Sequence, residues 1–497
     1  MSISLGLPKG LLPTPEVAMS AGCVSQLVRV QPNNIASITS GNVALPSGTA
    51  NAATNSLNFP SQLVSFSIPC GQGRHVWIDS AKSTLSYRVS YAVTAGGGTT
   101  AYAAAKGYLQ AGAASFWNRL VHIGPNGQTL DDVVNLHVSE HIEQLLNMNS
   151  PDRDCFAAAY GFGSESGSTS ATNAVQGHEI PALGGALATA TNNYSYEIPL
   201  PSALIGKYAK SMFPCGSISK LDVQLYTNSF MPITVHIGTA AGAPAAQLAV
   251  TIDNISLNLW MITLDTESAR LLGAPRIHSI HGITQRTASA NLPAVSGYSN
   301  TLIGLRGKSC RNLFTRFVDQ GTLSAAAIGT GIDQAINGWA DSKALICSQL
   351  NYLIGGKDRY PQFPHNTQNL PASVFSRLLM ASEVYDLWQQ HSSFVPNQYF
   401  KYAVGQTASA GTADQRIVDA GSKTFASDLA TFVFGEDLRK AHSSAALDGV
   451  DLTVTANHFL EMNLITACTN AQTIYFTGFF DIIFECDLET GTISYRM

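Results

Sequence analysis

From Thr84 to Val93 apolar and polar residues alternate. Leu85, Tyr87, Val89, Tyr91 and Val93 fall on one face, and Ser86, Arg88 and Ser90 on the other. A period of two predicts a strand with one buried face. Phe66 and Ile68 mark a strand before it, closed by Pro69. Val223 and Leu225, then Ile233, Val235 and Ile237, mark strands after it. Ile252–Leu264 alternates through Ile255, Leu257, Leu259 and Met261. Two segments have helical spacing instead. Leu130–Met148 carries Val134, Val138, Ile142 and Leu145 along one face, with Asp131 and Asp132 in the predicted first turn, where the helix dipole favours acids. Leu370–Trp388 carries Val374, Leu378, Tyr385 and Trp388 likewise, and Pro371 suits a first helical turn.

The pattern then repeats. Leu120-Val121-His122-Ile123-Gly124 precedes the first predicted helix, and Asn351-Tyr352-Leu353-Ile354-Gly355 the second; the two glycines are 231 apart. Tyr196–Leu200 followed by Leu204–Lys207 matches Phe425–Leu429 followed by Val433–Glu436, with Gly206 and Gly435 229 apart. Leu221–Leu225 matches Leu452–Thr455, again 231 apart. Each half closes on a long strand with an acidic end, Leu257–Asp265 and Phe479–Asp487; these acids are 222 apart, and the helix starts 240. Ordered matches near one offset predict two copies of one fold, at about 55–275 and 276–497. Residues 1–54 read as an extended N-terminal arm, poor in charge and rich in Ser, Asn, Pro, Ala and Gly. Each copy holds about eight strands and one helix, placed after the third or fourth strand. The long loops are Thr94–Ala114, Phe162–Asn193, Leu323–Asp341 and Gly405–Lys423. This predicts an all-β protein of two tandem eight-stranded jelly rolls, each with one inserted helix and long loops.

Composition narrows the function. The 497 residues exceed what one core supports. Hydrophobic residues make up 45% and charged residues 12%, about half the usual charged share. A chain of that kind buries much of its surface against copies of itself or keeps an uncharged polar exterior. The net charge is −5, and the densest basic stretch, Lys308–Arg316, is broken by apolar residues. No strong direct grip on nucleic acid is expected. The most apolar run, Ile474–Phe484, is far short of a membrane span, and Met1–Leu12 lacks the layout of a signal peptide. The eight cysteines (Cys23, Cys70, Cys155, Cys215, Cys310, Cys347, Cys468 and Cys486) form no CxxC pair. They read as reduced, mostly buried thiols.

Several motifs mimic chemistry. His137-Val138-Ser139-Glu140-His141 is an H-x-x-E-H sequence on a predicted helix. Histidines four apart share a face and could hold zinc with Glu140 as base. A third ligand is missing, because Glu143 turns off that face, so the reading is structural helix surface. Gly161-Phe162-Gly163-Ser164-Glu165-Ser166-Gly167 fits neither a phosphate loop nor a nucleophile elbow and reads as a flexible loop. Asp152 and Asp154 flank Arg153 after Pro151 and read as a charged loop. Phe476, Phe479, Phe480 and Phe484 read as a core strand buried on both faces. No catalytic, cofactor-binding or metal-binding residue is assigned, and no cofactor is expected.

Phe116-Trp117-Asn118-Arg119-Leu120-Val121-His122-Ile123-Gly124-Pro125-Asn126-Gly127, then Tyr196–Lys207, Phe213-Pro214-Cys215 and Leu221–Thr227, resemble the double jelly-roll major capsid proteins of the adenovirus, polinton and virophage lineage of double-stranded DNA viruses. The resemblance spans about 55–497. It implies a homotrimeric, pseudo-hexagonal capsomer of an icosahedral shell, with upright barrels and outer towers built from loops of both. Its partners would be neighbouring capsomers and minor capsid, cement and penton proteins, in a virion that in some cases has a membrane underneath. A carbohydrate-binding or adhesive β-sandwich, such as a viral spike or lectin, is the alternative. A cupin-type enzyme would need a histidine-rich metal motif that the sequence lacks.

Overall fold

The computed structural model describes residues 23–40, 43–44, 59–94, 106–109, 112–147, 159–161, 179–180, 191–230, 233–236, 247–323, 333–335, 339–358, 365–369, 371–381, 399, 402–403, 405–406, 431–439, 447–454 and 457–497. One arrangement of eight strands occurs twice. The first half supplies β1 (Val24–Val30), β2 (Leu63–Ser67), β3 (Val76–Thr94), β4 (Trp117–Ile123), β5 (Thr129–Val134), β6 (Thr191–Pro199), β7 (Asp222–Thr227) and β8 (Gln247–Thr263). They form two antiparallel sheets, ordered β1-β8-β3-β6 and β2-β7-β4-β5. The second half supplies β9 (Ile277–Leu292), β10 (Gly297–Leu302), β11 (Cys310–Asp319), β12 (Cys347–Ile354), β13 (Lys357–Asp358), β14 (Phe434–Asp437), β15 (His458–Leu464) and β16 (Gln472–Asp487). Its sheets are β9-β16-β11-β14 and β10-β15-β12-β13. Every strand of the second set occupies the place of the strand numbered eight lower. The chain is two tandem jelly rolls, with β17 (Thr492–Arg496) added beside β16.

Local chemistry explains these strands. On β3, Leu85, Tyr87, Val89 and Tyr91 are buried in the first core, while Arg88 faces outward. Arg88 pairs in register with Asp253 of β8 and donates to both its carboxylate oxygens, at 2.7 and 2.6 Å. Such a bidentate cross-strand pair helps fix the register. The turns after β4 and β12 need positive φ, supplied by Gly127 (72°) and by Gly355 and Gly356 (64° and 74°).

Five expectations are corrected. Val24–Val30, assigned to the arm, is the edge strand β1, paired with β8 from Val24↔Thr263 to Val30↔Leu257. Leu130–Val134, assigned to a helix, belongs to β5, and α1 spans Leu136–Asn147. Asp131 and Asp132 are strand residues, and Asp132 accepts a bidentate bond from Arg119 of β4. Each inserted helix follows the fifth strand of its set, α1 after β5 and Pro371–Ala381 after β13, not the third or fourth. The repeat is also less regular than one offset implies. The partner of β7 is β15, not Leu452–Thr455, and Tyr196–Leu200 lies across β6, whose counterpart is β14. Asp265, read as a strand end, caps α2 (Thr266–Leu272) by accepting from the Ser268 N–H at 2.7 Å. The second inserted helix, α3, spans Pro371–Ala381, and residues 382–388 lie outside the described residues.

The two cores interlock. Val138, Ile142, Leu145 and Leu146 of α1 belong to the second barrel's apolar cluster. Conversely, Ile280, Ile482, Phe484, Cys486, Leu488 and Ile493 belong to the first. A small sheet joins the long loops: Asp333–Ala335 pairs with Ile233–His236, which pairs with Lys106–Leu109, which pairs with Glu179–Ile180. Loops of both barrels therefore meet on one side. Residues 407–423 of the fourth long loop lie outside the described residues. No described helix is long and apolar enough to cross a membrane.

Candidate functional site

The H-x-x-E-H motif lies on α1, where the barrels meet. The helix surface expected there is instead buried: from Leu136 to Leu146 only Glu143 is even half-exposed. The apolar face of α1 has joined the second core, and its polar faces meet polar groups of both barrels.

His137 and His141 face β11 and the Trp339 region. The His137 ring stands edge-on to Trp339 at 4.7 Å and to Phe230 at 5.4 Å, and His141 lies 5.6 Å from Trp339. Arg316, fully buried on β11, donates to His141 Nδ1 at 3.1 Å and to the Ala340 carbonyl at 2.7 Å. That bond makes Nδ1 an acceptor and puts the imidazole proton on Nε2. Burial, reinforced by the Arg316 charge, pushes His137 down to about 3 and His141 well below its ordinary value. Both rings are neutral. Burial also lowers Arg316, to about 10.

Glu140 faces the other way. Lys207 donates to Glu140 Oε2 at 2.7 Å and to Glu143 at 3.0 Å. Tyr208 donates to Glu140 Oε1 at 2.9 Å, and Gln285 of β9 donates to both Glu140 and Tyr208. Ser139 donates to Gln285 at 2.5 Å. Burial raises Glu140, and Lys207 opposes that rise. Burial alone would lower Lys207, but the two carboxylates outweigh it and hold the ammonium charged. Nearby, Thr284 of β9 donates to Asp131 at 2.7 Å, and burial lifts Asp131 to about 6.

This geometry does not suit zinc. One nitrogen of His141 is taken by a cation, and the Glu140 carboxylate is occupied by an ammonium, a phenol and an amide. Among the described residues no group of three metal-ligating side chains comes together. What the arrangement does is cross-link: α1 and the Lys207 segment of the first barrel are tied to β9 and β11 of the second. Lys207, Tyr208, Gln285, Arg316 and Trp339 were not singled out from sequence. Arg316, a lone cation within Leu313-Phe314-Thr315-Arg316-Phe317-Val318, was the one available signal.

The other motifs disperse. Gly161 has φ 61°, and residues 162–167 lie outside the described residues, as do Asp152, Arg153 and Asp154. Phe476 and Phe480 are buried in the second core and Phe484 in the first, while Phe479 is half-buried. Cys215, Cys310, Cys347, Cys468 and Cys486 are buried free thiols, and Cys23 and Cys70 half-buried ones.

No family model matches the sequence, and no curated protein matches it. Among solved structures, the chain is similar to one in the cryo-EM structure of the Sputnik virophage, at 11% identity over 100% of this chain and 93% of that one, with a TM-score of 0.51. It is also similar to the mavirus major capsid protein (10%, 100% and 95%, 0.47). The quasi-atomic model of the PBCV-1 virus capsid is a third (12%, 98% and 99%, 0.47). At such identities the likeness is one of fold: this chain has the double jelly-roll fold found in major capsid proteins of viruses.

Proposed function

We propose that the chain is a viral major capsid protein, three copies of which associate into a pseudo-hexagonal capsomer of an icosahedral shell. The observation that carries this is the repeated wiring, β1-β8-β3-β6 with β2-β7-β4-β5 and then the same order eight strands on, in two barrels with interlocked cores. Three such chains give six similar barrels around one axis. The shared loop sheet supports an upright stance, because it gathers the long loops of both barrels at one end, as an outer tower requires. The chain divides near residue 275 into the two barrels. Partners are copies of itself and minor capsid, cement and penton proteins, and the site of action is the virion. The role is structural, a reading supported by the titratable cluster of α1, whose groups are paired with one another at the barrel seam. The net charge of −5 suits a shell component that does not grip a genome. Light scattering of the purified protein should give three times 52.7 kDa, and electron micrographs six-lobed particles. A protein that stays at single-chain mass at every concentration would overturn the reading.

A further inference from the structure

The contact between the two barrels is a template for a contact between chains. Within the chain, the β6–β7 segment of the first barrel docks on the outer edge of β9. Lys210 N–H donates to the His281 carbonyl at 2.8 Å, Ile283 N–H donates to the Tyr208 carbonyl at 3.2 Å, and Ala209 bridges Gly282. Further along, Ser219 N–H donates to the Gly491 carbonyl at 3.2 Å, in the turn between β16 and β17.

Both halves of this contact have a counterpart elsewhere in the chain. The β6–β7 segment is anchored to its own barrel where Phe213 bridges Ile78. In the second barrel Val450, between β14 and β15, bridges Cys310 in the same way. Phe213 and Val450 are 237 apart, and so are Cys215 and Leu452, Val223 and Leu460, and Leu225 and Met462; all are buried in their own cores except Val450, which is half-buried against the second core. By that spacing Lys210 corresponds to Leu447, and Ser217 to Val454. On the receiving side, Ile78 pairs with Met261 and Met261 with Gln26, as Cys310 pairs with Phe480 and Phe480 with Thr284. Val24 therefore stands where Gly282 stands, and Leu27 where Gln285 stands. Leu271 falls beside the counterpart of Gly491.

In the first barrel's docking segment and on β9 these positions are largely covered by the neighbouring barrel. At the counterparts they are bare and apolar: Val24 is 62% exposed, Leu27 55%, Leu271 42%, Leu447 43% and Val454 61%. Among the described residues no strand pairs with the outer edge of β1, and an edge strand with Arg29 as its one charge is a template for pairing. We propose that the β1 edge with α2, around Val24, Leu27 and Leu271, and the β14–β15 segment around Leu447 and Val454 are the two sides of one contact between copies of this chain. The occupant of each side is the other side of a second copy. The two sides differ, so the contact is head-to-tail and propagates around a ring. It is apolar where the internal one is polar, and it is less close at one point: a Cβ on Gly282 would lie 2.4 Å from the Ala203 carbonyl oxygen, whereas Val24 carries a side chain there. The inference rests on the assembly reading above and names its surface.

The test uses the full chain. Leu27→Lys charges the edge, and Leu447→Asp places a residue tolerated at positive φ where Leu447 has φ 64°. Each should raise the concentration at which the assembly dissociates at least tenfold, leaving a single-chain species with the wild-type circular dichroism spectrum. Val295→Asp, in the turn at the far end of β9, should leave dissociation unchanged. Should Leu27→Lys fail to fold, Val24→Thr keeps a strand-forming side chain and should still weaken assembly. An assembled wild type with both variants equally stable, or with Val295→Asp as damaging, overturns this contact alone. A wild type of single-chain mass overturns the assembly reading and the contact with it.

Discussion

Ile142 lies in the first half of the chain, yet its side chain is fully buried in the second barrel's apolar cluster. Ile142→Ala removes three carbon groups. At roughly 0.8 kcal/mol per methylene the transfer loss is about 2.4 kcal/mol. The cavity left behind brings such truncations to roughly 2–5 kcal/mol, centred near ~3.5 kcal/mol. What calorimetry reads depends on how much of the chain unfolds together. The entropy of unfolding is roughly 2.1 cal/mol/K per residue near 60 °C. If all 497 residues unfold as one unit, the total is about 1 kcal/mol/K and the midpoint falls by about 3–4 °C. If the barrels unfolded separately, each half the size or less, the same loss would move one of two transitions by about 7–8 °C. α1 in the second core, and the β9 and β16 residues in the first, predict the single transition and the small shift. A scan showing two transitions, one of them unmoved by Ile142→Ala, would refute the argument that the interlocked cores make one cooperative unit.

Gly282→Ala drives a methyl group against the Ala203 carbonyl, 2.4 Å from the ideal Cβ position, where the two barrels meet. It should cost about 1–3 kcal/mol, read as a lower denaturant midpoint, and an unchanged midpoint would show that the seam yields freely. His122, buried beside Ser202, is lowered by burial from 6.5 to about 4. The unfolded chain therefore takes up a proton before the native one does. This stability is complete above pH 6.5, is lost as pH falls towards 4, and amounts to on the order of 3 kcal/mol. Asp131, raised to about 6, works the opposite way over part of that window, but equally in wild type and variant. His122→Asn should thus melt with a shallower fall between pH 7 and 4.5 than the wild type, and parallel curves would count against a neutral buried His122. Millimolar zinc should not raise the melting temperature, because His141 Nδ1 and Glu140 are already engaged; a rise of several degrees would reinstate the H-x-x-E-H motif as a metal site.

The strands that were legible had one wet face and one dry face. β3 announced itself because Arg88 and its neighbours stay outside while Tyr87 and Tyr91 go in. β11 did not, because all ten of its residues are buried and no alternation survives. β5 was misread for a related reason: Leu130 and Val134 continue the helical spacing of α1 by accident, although Val134 points to solvent and Leu130 into the first core. β1 was lost because Gln26 interrupts the core-facing row of Val24, Val28 and Val30 while Leu27 sits on the opposite face, so Val24–Val30 offered little alternation to read. The repeat showed through wherever loops had not drifted. It failed at β6 and β14, and at β7 and β15, whose spacing is 237 where the sequence match used 231.

The seam was the least legible feature, since no single residue declares that another barrel will cover it. Ser139, Glu140 and His141 look like the solvent side of an amphipathic helix, and only their distant partners make them interior. Burying so many polar groups adds little to net stability compared with a well-packed apolar seam of the same volume. It does impose geometry. Glu140 is satisfied only when Lys207, Tyr208 and Gln285 are all in place, and Arg316 only when His141 and the Ala340 carbonyl are. A seam displaced by one residue would leave buried charges unpaired at several kcal/mol each, whereas a purely apolar seam would tolerate the slip. A polar seam therefore fixes the angle between the barrels. In the proposed assembly that angle would have to be fixed, because an error in each chain would be multiplied around the ring.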